Sequence, residues 1–338
     1  MPVIIRCQNL DQAYGSHRVL FGVSFEVEPG CTGLLGPNGA GKSTLIKTLL
    51  GQLPLRPGRV SVADRDPAAE PLRVRQSVGY MPESDVYLPG MNGLELCAFC
   101  GQLSGMRRGD AVSKAHEVLY FVGLGEARYR EVDGYSTGMR QRLKLAGALV
   151  HGPDLLLLDE PTTGLDPTGR DEMLQLIDDV AHKRSINVLF SSHILRDIEQ
   201  TCDHVVVLNE GRTLFSGSRD DFQHQESRVL HVRVKEGREQ MAKGLRSAGF
   251  EVVSREGTGH LEVALGEGLN ADAIWKTARE LNLQIRHLAP ATVSLEQAFE
   301  KAVDTGEESA PCPTTTRRST TRPTCLSKAS WLRRARGF

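Results

Sequence analysis

The stretch GPNGAGKS, from Gly36 to Ser43, constrains this chain more than any other. It fits G-x-x-x-x-G-K-[S/T], and it lies between the apolar segment CTGLLG and the amphipathic segment STLIKTLLG. The pattern demands a strand, a tight turn and a helix in immediate succession. Gly36, Gly39 and Gly41 let the backbone curl until its N–H groups point inward. The following helix then presents its positive end to the same point. Such a loop, completed by Asn38, Ala40 and Thr44, cradles the phosphates of a nucleotide. Lys42 is placed to reach the β- and γ-phosphates, and the Ser43 hydroxyl to ligate Mg²⁺.

A phosphate loop needs carboxylates, and the stretch LLLLDE supplies them. Four leucines make a buried strand that carries Asp159 and Glu160 to its C-terminal edge, where sites of open α/β sheets form. Asp159 is placed to hold Mg²⁺. Glu160, next to it, is placed to accept a proton from an attacking water. His193, in LFSSH just after the next strand, lands on the same edge and can reach a γ-phosphate.

The rest of the chain frames these pieces. Short β-rich segments lead into the phosphate loop, and GRVSV (58–62) and QSVGYMPE (76–83) read as further strands. From about 91 to 150 the periodicity is helical. Strand and helix then alternate again through LLLLDE, a helix near 168–183, INVLFSSH, a helix near 194–201 and a hairpin with Gly211 in its turn. A helical insert in a β/α frame is the plan. Residues 227–302 read as a separate β-α-β-β-α-β unit, a small α+β domain. The end, 303–338, is rich in Thr, Arg, Ser and Pro and reads as a disordered basic tail. It is either solvated, in contact with anionic lipid or nucleic acid, or an out-of-frame read-through.

Composition excludes several classes. At 338 residues the chain can bury more than one core, and a formal charge of −1 argues against a protein that is basic throughout. No run approaches the roughly 18–20 apolar residues needed to span a bilayer. The N-terminus lacks the apolar centre of a secretory signal, so the chain is expected in the cytosol. Seven scattered cysteines do not suggest a disulfide framework, and Cys97 and Cys100 read as buried reduced thiols on one helix face.

With these pieces in order, the sequence resembles the ATP-binding cassette ATPases over nearly all of residues 3–217. GPNGAGKST stands as the Walker A loop, LLLLDEP as Walker B, GLDP (164–167) as the D-loop and His193 as the switch histidine. YSTGM, carrying Ser136, Thr137, Gly138 and Met139, stands where the family has its signature sequence. Tyr14 resembles the aromatic that stacks on adenine, and Asp166 is the acid of the D-loop. Two departures matter: Thr137 and Met139 replace a glycine and a glutamine, and Glu83 stands where the family has a glutamine that contacts Mg²⁺. Both forms resemble the ATPases of ABC-2 type exporters.

The resemblance implies a P-loop NTPase fold: a RecA-like α/β core with an antiparallel β subdomain and a helical insert. The cassette would cover residues 1–222, with the helical part at about 84–150, and the α+β domain would follow at 227–302. It implies ATP and Mg²⁺ as cofactors, and a homodimer or heterodimer of ATPase subunits in which each signature turn binds the ATP of the opposite subunit. It implies a separately encoded integral-membrane permease that holds the chain at the cytoplasmic face of the membrane. Tyr87, Leu88, Met91 and Leu94 lie where such a permease would dock, though each alone also reads as core. Two other readings stay open. One is a soluble ATPase acting on ribosomes or DNA, disfavoured by a single Walker A and by the lack of heptads or zinc spacing, so nucleic acid is not the expected partner. The other is a regulator that does not hydrolyse ATP, which Glu160 and His193 argue against.

Overall fold

A computed structural model describes residues 3–85, 87–225, 229–254, 260–264 and 271–290. The expectations that bear on residues 291–302 and on the basic tail at 303–338 lie outside the described residues.

The first hairpin, β1 (Ile5–Tyr14) and β2 (His17–Val27), turns Ile5, Cys7, Leu10, Val23 and Val27 toward a core. Its register slips after Cys7. There Asn9 adopts a left-handed backbone (φ 48°), and its N–H donates to Ser24 Oγ at 2.8 Å. This bulge puts Leu10 inside and leaves Asn9 outside. β3 (Cys31–Leu35) is buried along its whole length and feeds α1 (Lys42–Leu49) through the phosphate loop. β4 (Val60–Val62) returns to β1, giving an antiparallel sheet of order β2-β1-β4. Leu45, Ile46 and Leu49 of α1 share the core of that sheet.

The next helix, α2 (Pro71–Ser77), escapes the sequence reading. It is one short segment begun by a proline at its first turn, and it buries only Val74 and Ser77, too few positions to show a period. β5 (Val78–Met81) follows, and then the helical insert: α3 (Gly93–Leu103), α4 (Arg108–Phe121) and α5 (Thr137–Leu149). Asn92 and Glu95 close a reciprocal capping box at the start of α3, with bonds of 2.9 and 3.0 Å. Asn92→Ala removes that cap and should cost about 1 kcal/mol, read as a lower urea midpoint with an unchanged slope. Cys97 is buried within the insert, and burial pushes its thiol up to about 12, so it packs as a small apolar group.

The second half alternates β6 (Leu155–Asp159), α6 (Pro167–Asp178), β7 (Asn187–Ser192), α7 (Leu195–Thr201), β8 (His204–Asn209), β9 (Arg212–Ser218) and α8 (Arg219–Gln225). The helix expected over 168–183 is α-helical only to Asp178 and widens into a π-turn over Asp179–Lys183, which keeps both Val180 and Ala181 buried. The main sheet runs β5-β6-β7-β3-β8-β9, parallel except for β9. All five residues of β6 are buried, as a strand covered on both faces requires. Because β3, β5, β6 and β7 run parallel, the segments that follow them emerge on one edge.

The remaining elements are β10 (Val229–Val234), α9 (Arg238–Ser247), β11 (Glu251–Ser254), β12 (Leu261–Ala264), α10 (Ala271–Glu280) and β13 (Ile285–Pro290). They follow the expected β-α-β-β-α-β succession and form an antiparallel sheet of order β11-β12-β10-β13. Leu230, Val232, Leu261 and Val263 face Met241, Leu245 and Ile274 in a core of their own.

Candidate functional site

The phosphate loop is shaped by two backbone constraints. A side chain at Gly36 would place its first carbon 2.2 Å from the Leu208 carbonyl, so the loop can leave β3 only through glycine. Gly41, the N-cap of α1, holds φ at 102°, which lets the loop turn into the helix. Lys42 is buried. Its Nζ donates to the carbonyls of Gly36 and Pro37 at 2.8 and 3.3 Å and lies 3.2 Å from Glu160 Oε1. Ser43 and Thr44 follow it in the first turn of α1. Tyr14 is exposed at the end of β1, in the hairpin whose second strand lays Val19 and Leu20 against Gly41.

Glu160 is the hub of the site. Its backbone is left-handed (φ 50°), a strained state for a non-glycine residue, costing on the order of 1–3 kcal/mol and typical of functional turns. Its N–H donates to Ser191 Oγ at 2.9 Å, and the same hydroxyl donates to Asp159 Oδ1 at 2.7 Å. One serine on β7 thus holds the Asp159 carboxylate and the backbone of Glu160. His193 Nδ1 meets Glu160 Oε2 at 2.8 Å. Burial pushes the Glu160 carboxyl up, but the hydrogen bond from His193 and the charge of Lys42 outweigh it and hold the group below the usual carboxylate range. In return, the bond to Glu160 raises His193. The oxygen donors here, the Ser43 hydroxyl and the Asp159 carboxylate, suit a hard cation such as Mg²⁺.

The signature turn is engaged elsewhere. Ser136 caps α5, its Oγ accepting from Met139 N–H at 3.3 Å, while Ser136 and Thr137 stay exposed. The Met139 side chain packs against the helical core. Gln141 is buried and donates to the Thr163 carbonyl at 3.0 Å. Gly164 and Leu165 lie against Thr137 and Gly138. Asp166 caps α6, accepting from Gly169 N–H at 3.0 Å. The contacts of this turn therefore run to the 163–165 segment that follows Glu160.

Comparison with known proteins agrees with this geometry. The profile of the ABC transporter family matches residues 20–163. The uncharacterised ABC transporter ATP-binding protein YxlF of Bacillus subtilis (strain 168) is 35% identical over 305 residues, covering 89% of this chain and 99% of that one. The chain belongs to the ABC transporter ATP-binding proteins. The bacitracin transport ATP-binding protein BcrA of Bacillus licheniformis is 34% identical over 237 residues, 70% of this chain and 76% of the relative. A solved ATP-binding subunit of an ABC transporter is 29% identical and superposes with a TM-score of 0.59, covering 66% of this chain and 92% of that one.

This ABC ATPase carries further residues that its motifs do not reveal. Asp197 of α7 is fully buried and accepts from Thr162 Oγ1 at 2.6 Å, tying the segment after Glu160 to the helix after His193. The Lys144 side chain of α5 is only 8% exposed, and its Nζ donates to the carbonyls of Pro82 and Glu83 at 3.1 and 2.9 Å, with Asp85 Oδ1 at 3.6 Å. Glu83 itself is exposed. Burial, followed by the negative charges of Asp159 and Glu83, raises the Tyr80 phenol to about 12, which puts all three in one electrostatic neighbourhood. The backbone of the loop that carries Glu83 is thus held by the Lys144 ammonium. Lys144→Met should free that loop and lower turnover about tenfold or more, the equivalent of one charge-assisted hydrogen bond. Steady-state ATPase assays measure it.

The His193–Glu160 pair also predicts a pH effect. The folded pKa of His193 is raised above the unfolded value of about 6.5, so its contribution to stability is complete below that value. It is lost as pH rises through the folded pKa. The gap in melting temperature between the wild type and His193→Gln should therefore be widest near pH 6 and shrink as the pH becomes alkaline.

Proposed function

We propose that this ABC ATPase closes as a dimer around two Mg·ATP, and that closure drives a separate permease, in the manner of the ABC-2 type exporters. The partner is a second copy of the chain or a related ATPase subunit. The observation that carries this reading is the exposed, capped start of α5. Ser136 and the N–H groups near Gly138 leave a helix N-terminus at the surface, free to receive a ligand held by another subunit in this reading, while the turn is braced from behind by residues 163–165. Moving a dimer from mostly open to mostly closed needs about 5.5 kcal/mol. Two nucleotides, each adding one or two charge-assisted hydrogen bonds at roughly 1.5–3 kcal/mol, supply it.

In this reading the backbone of residues 36–44 and Lys42 hold the phosphates, and Tyr14 lies under the adenine. Ser43, Asp159 and Glu83 would hold Mg²⁺, which would screen the phosphate charge. Glu160 takes the proton of the attacking water, and His193 orients Glu160 and reaches the γ-phosphate. Lys42 exchanges its contact with Glu160 for phosphate oxygens, which frees the carboxylate for its task.

No helix among the described residues is long and apolar enough to cross a membrane. In this reading the chain sits on the cytoplasmic face by holding the permease, and the docking place is a cleft of about 470 Å³ between the core and the helical insert. Tyr80, Asp85, Tyr87, Leu96, Arg140 and Lys144 line it. Membrane fractionation tests the assignment. The chain should sediment with vesicles from cells that co-express a candidate multi-spanning permease, and wash off vesicles that lack it. A chain that follows ribosomes or nucleoid instead would overturn the reading.

A further inference from the structure

The sheet β11-β12-β10-β13 carries α9 and α10 on one face, and its other face gathers basic groups. On β10, Leu230 and Val232 are buried against the helices, and His231 and Arg233 alternate with them. Across the strands, Glu262 of β12 pairs with His231, and His287 of β13 pairs with Arg233. His260 directly precedes Leu261, which pairs with Val232, so it comes beside Arg233. The His231 and His260 rings are stacked at 5.6 Å with 11° between their planes, and the His260 and His287 rings are 6.2 Å apart. Arg238, at the start of α9, donates to the His260 carbonyl at 2.8 Å.

Glu262 is the one carboxylate described among these groups, and its Oε1 lies 3.9 Å from His231 Nε2. Burial, then the positive charges of His231, Arg233, His287 and Arg238, push the His260 imidazole below its usual range. His260 Nδ1 is buried without a hydrogen-bond partner, and among the described residues Arg233 makes no ion pair. Arg233 brings a fixed positive charge to this face, and an anion bound beside it would offset that charge. Two guanidinium groups in the cluster disfavour a metal cation. A planar guanidinium flanked by imidazole N–H groups instead matches tetrahedral oxyanions.

We propose that this face is a binding site for a phosphate group, with Arg233 as the principal donor and His231, His260 and His287 arranged around it. The phosphate belongs either to a soluble compound or to a lipid headgroup, and the two sources share the same chemistry. The site stands on a sheet separate from the ATP site, so its failure would leave the ATPase reading untouched.

Full-length protein labelled with ¹³C at histidine Cε1 tests the proposal, with resonances assigned through His231→Gln, His260→Gln and His287→Gln. Millimolar inorganic phosphate is one probe. Phosphatidylcholine vesicles with and without phosphatidylglycerol are the other, and His193 reports separately on the phosphate loop. Saturable shifts of the three resonances with inorganic phosphate assign a soluble ligand. Shifts that need phosphatidylglycerol assign a headgroup. Arg233→Gln, at an exposed position, should weaken either response about tenfold, and Arg233→Lys should restore part of it. Resonances unmoved by both probes, an unchanged affinity in Arg233→Gln, or shifts with Zn²⁺ but with neither anion would overturn it.

Discussion

Glu160→Gln is expected to lower ATP turnover by about 10²–10⁴-fold, the usual contribution of a positioned general base. The substitution keeps the shape of the side chain and an acceptor for His193 Nδ1 at 2.8 Å. It removes the charge that faces Lys42 at 3.2 Å and that raises His193. Nucleotide binding should survive and can tighten, because Lys42 no longer divides its contacts between Glu160 and the incoming phosphates. With ATP retained and hydrolysis blocked, the closed state has no exit. The variant with Mg·ATP should therefore elute as a dimer in size-exclusion chromatography, where the wild type reverts to monomer as it hydrolyses. Unchanged turnover would remove Glu160 from the role of base. Blocked turnover with only monomers would leave the base in place and remove the shared site, so the two parts of the reading fail separately.

Local pattern made half of this site legible and hid the other half. GPNGAGKS and LLLLDE announce themselves because loop, cap and buried strand are consecutive in sequence, and the structure puts Lys42, Asp159, Glu160 and His193 on one edge as expected. Ser191 holds the Asp159 carboxylate and the Glu160 backbone, yet it lies 31 residues from Glu160, and its only trace in sequence is a polar pair closing an apolar strand. Lys144 reaches the Glu83 carbonyl across 61 residues, and no periodicity marks a lysine on an amphipathic helix as buried. Asp197 and Thr162 pair across 35 residues. The same distinction holds for the fold. The β-α-β-β-α-β run was readable from alternating burial, whereas α2 and the π-turn after α6 depend on what their few apolar residues pack against. Chemistry carried by a contiguous motif can be read from the chain, and chemistry assembled by the sheet order cannot.

The sharpest test of the divided site is Ser136→Asp. Aspartate caps helices as well as serine does, so α5 should keep its first turn and the melting temperature should stay near that of the wild type. Ser136→Ala, by contrast, loses about 1 kcal/mol of cap. What the aspartate changes is charge. Facing a γ-phosphate at about 4 Å, a carboxylate costs on the order of 4 kcal/mol in a partly buried setting, enough to lower turnover more than a hundredfold. Binding of ATP to the isolated chain should stay close to normal, because residues 36–44 are untouched. In a homodimer, mixing decides the matter. Ser136→Asp protein and Lys42→Ala protein should each be inactive alone. In a mixed dimer both lesions fall in the same composite site, so the other site is whole and activity returns. If each subunit hydrolysed ATP unaided, both members of the pair would carry a broken site and no mixture would revive them.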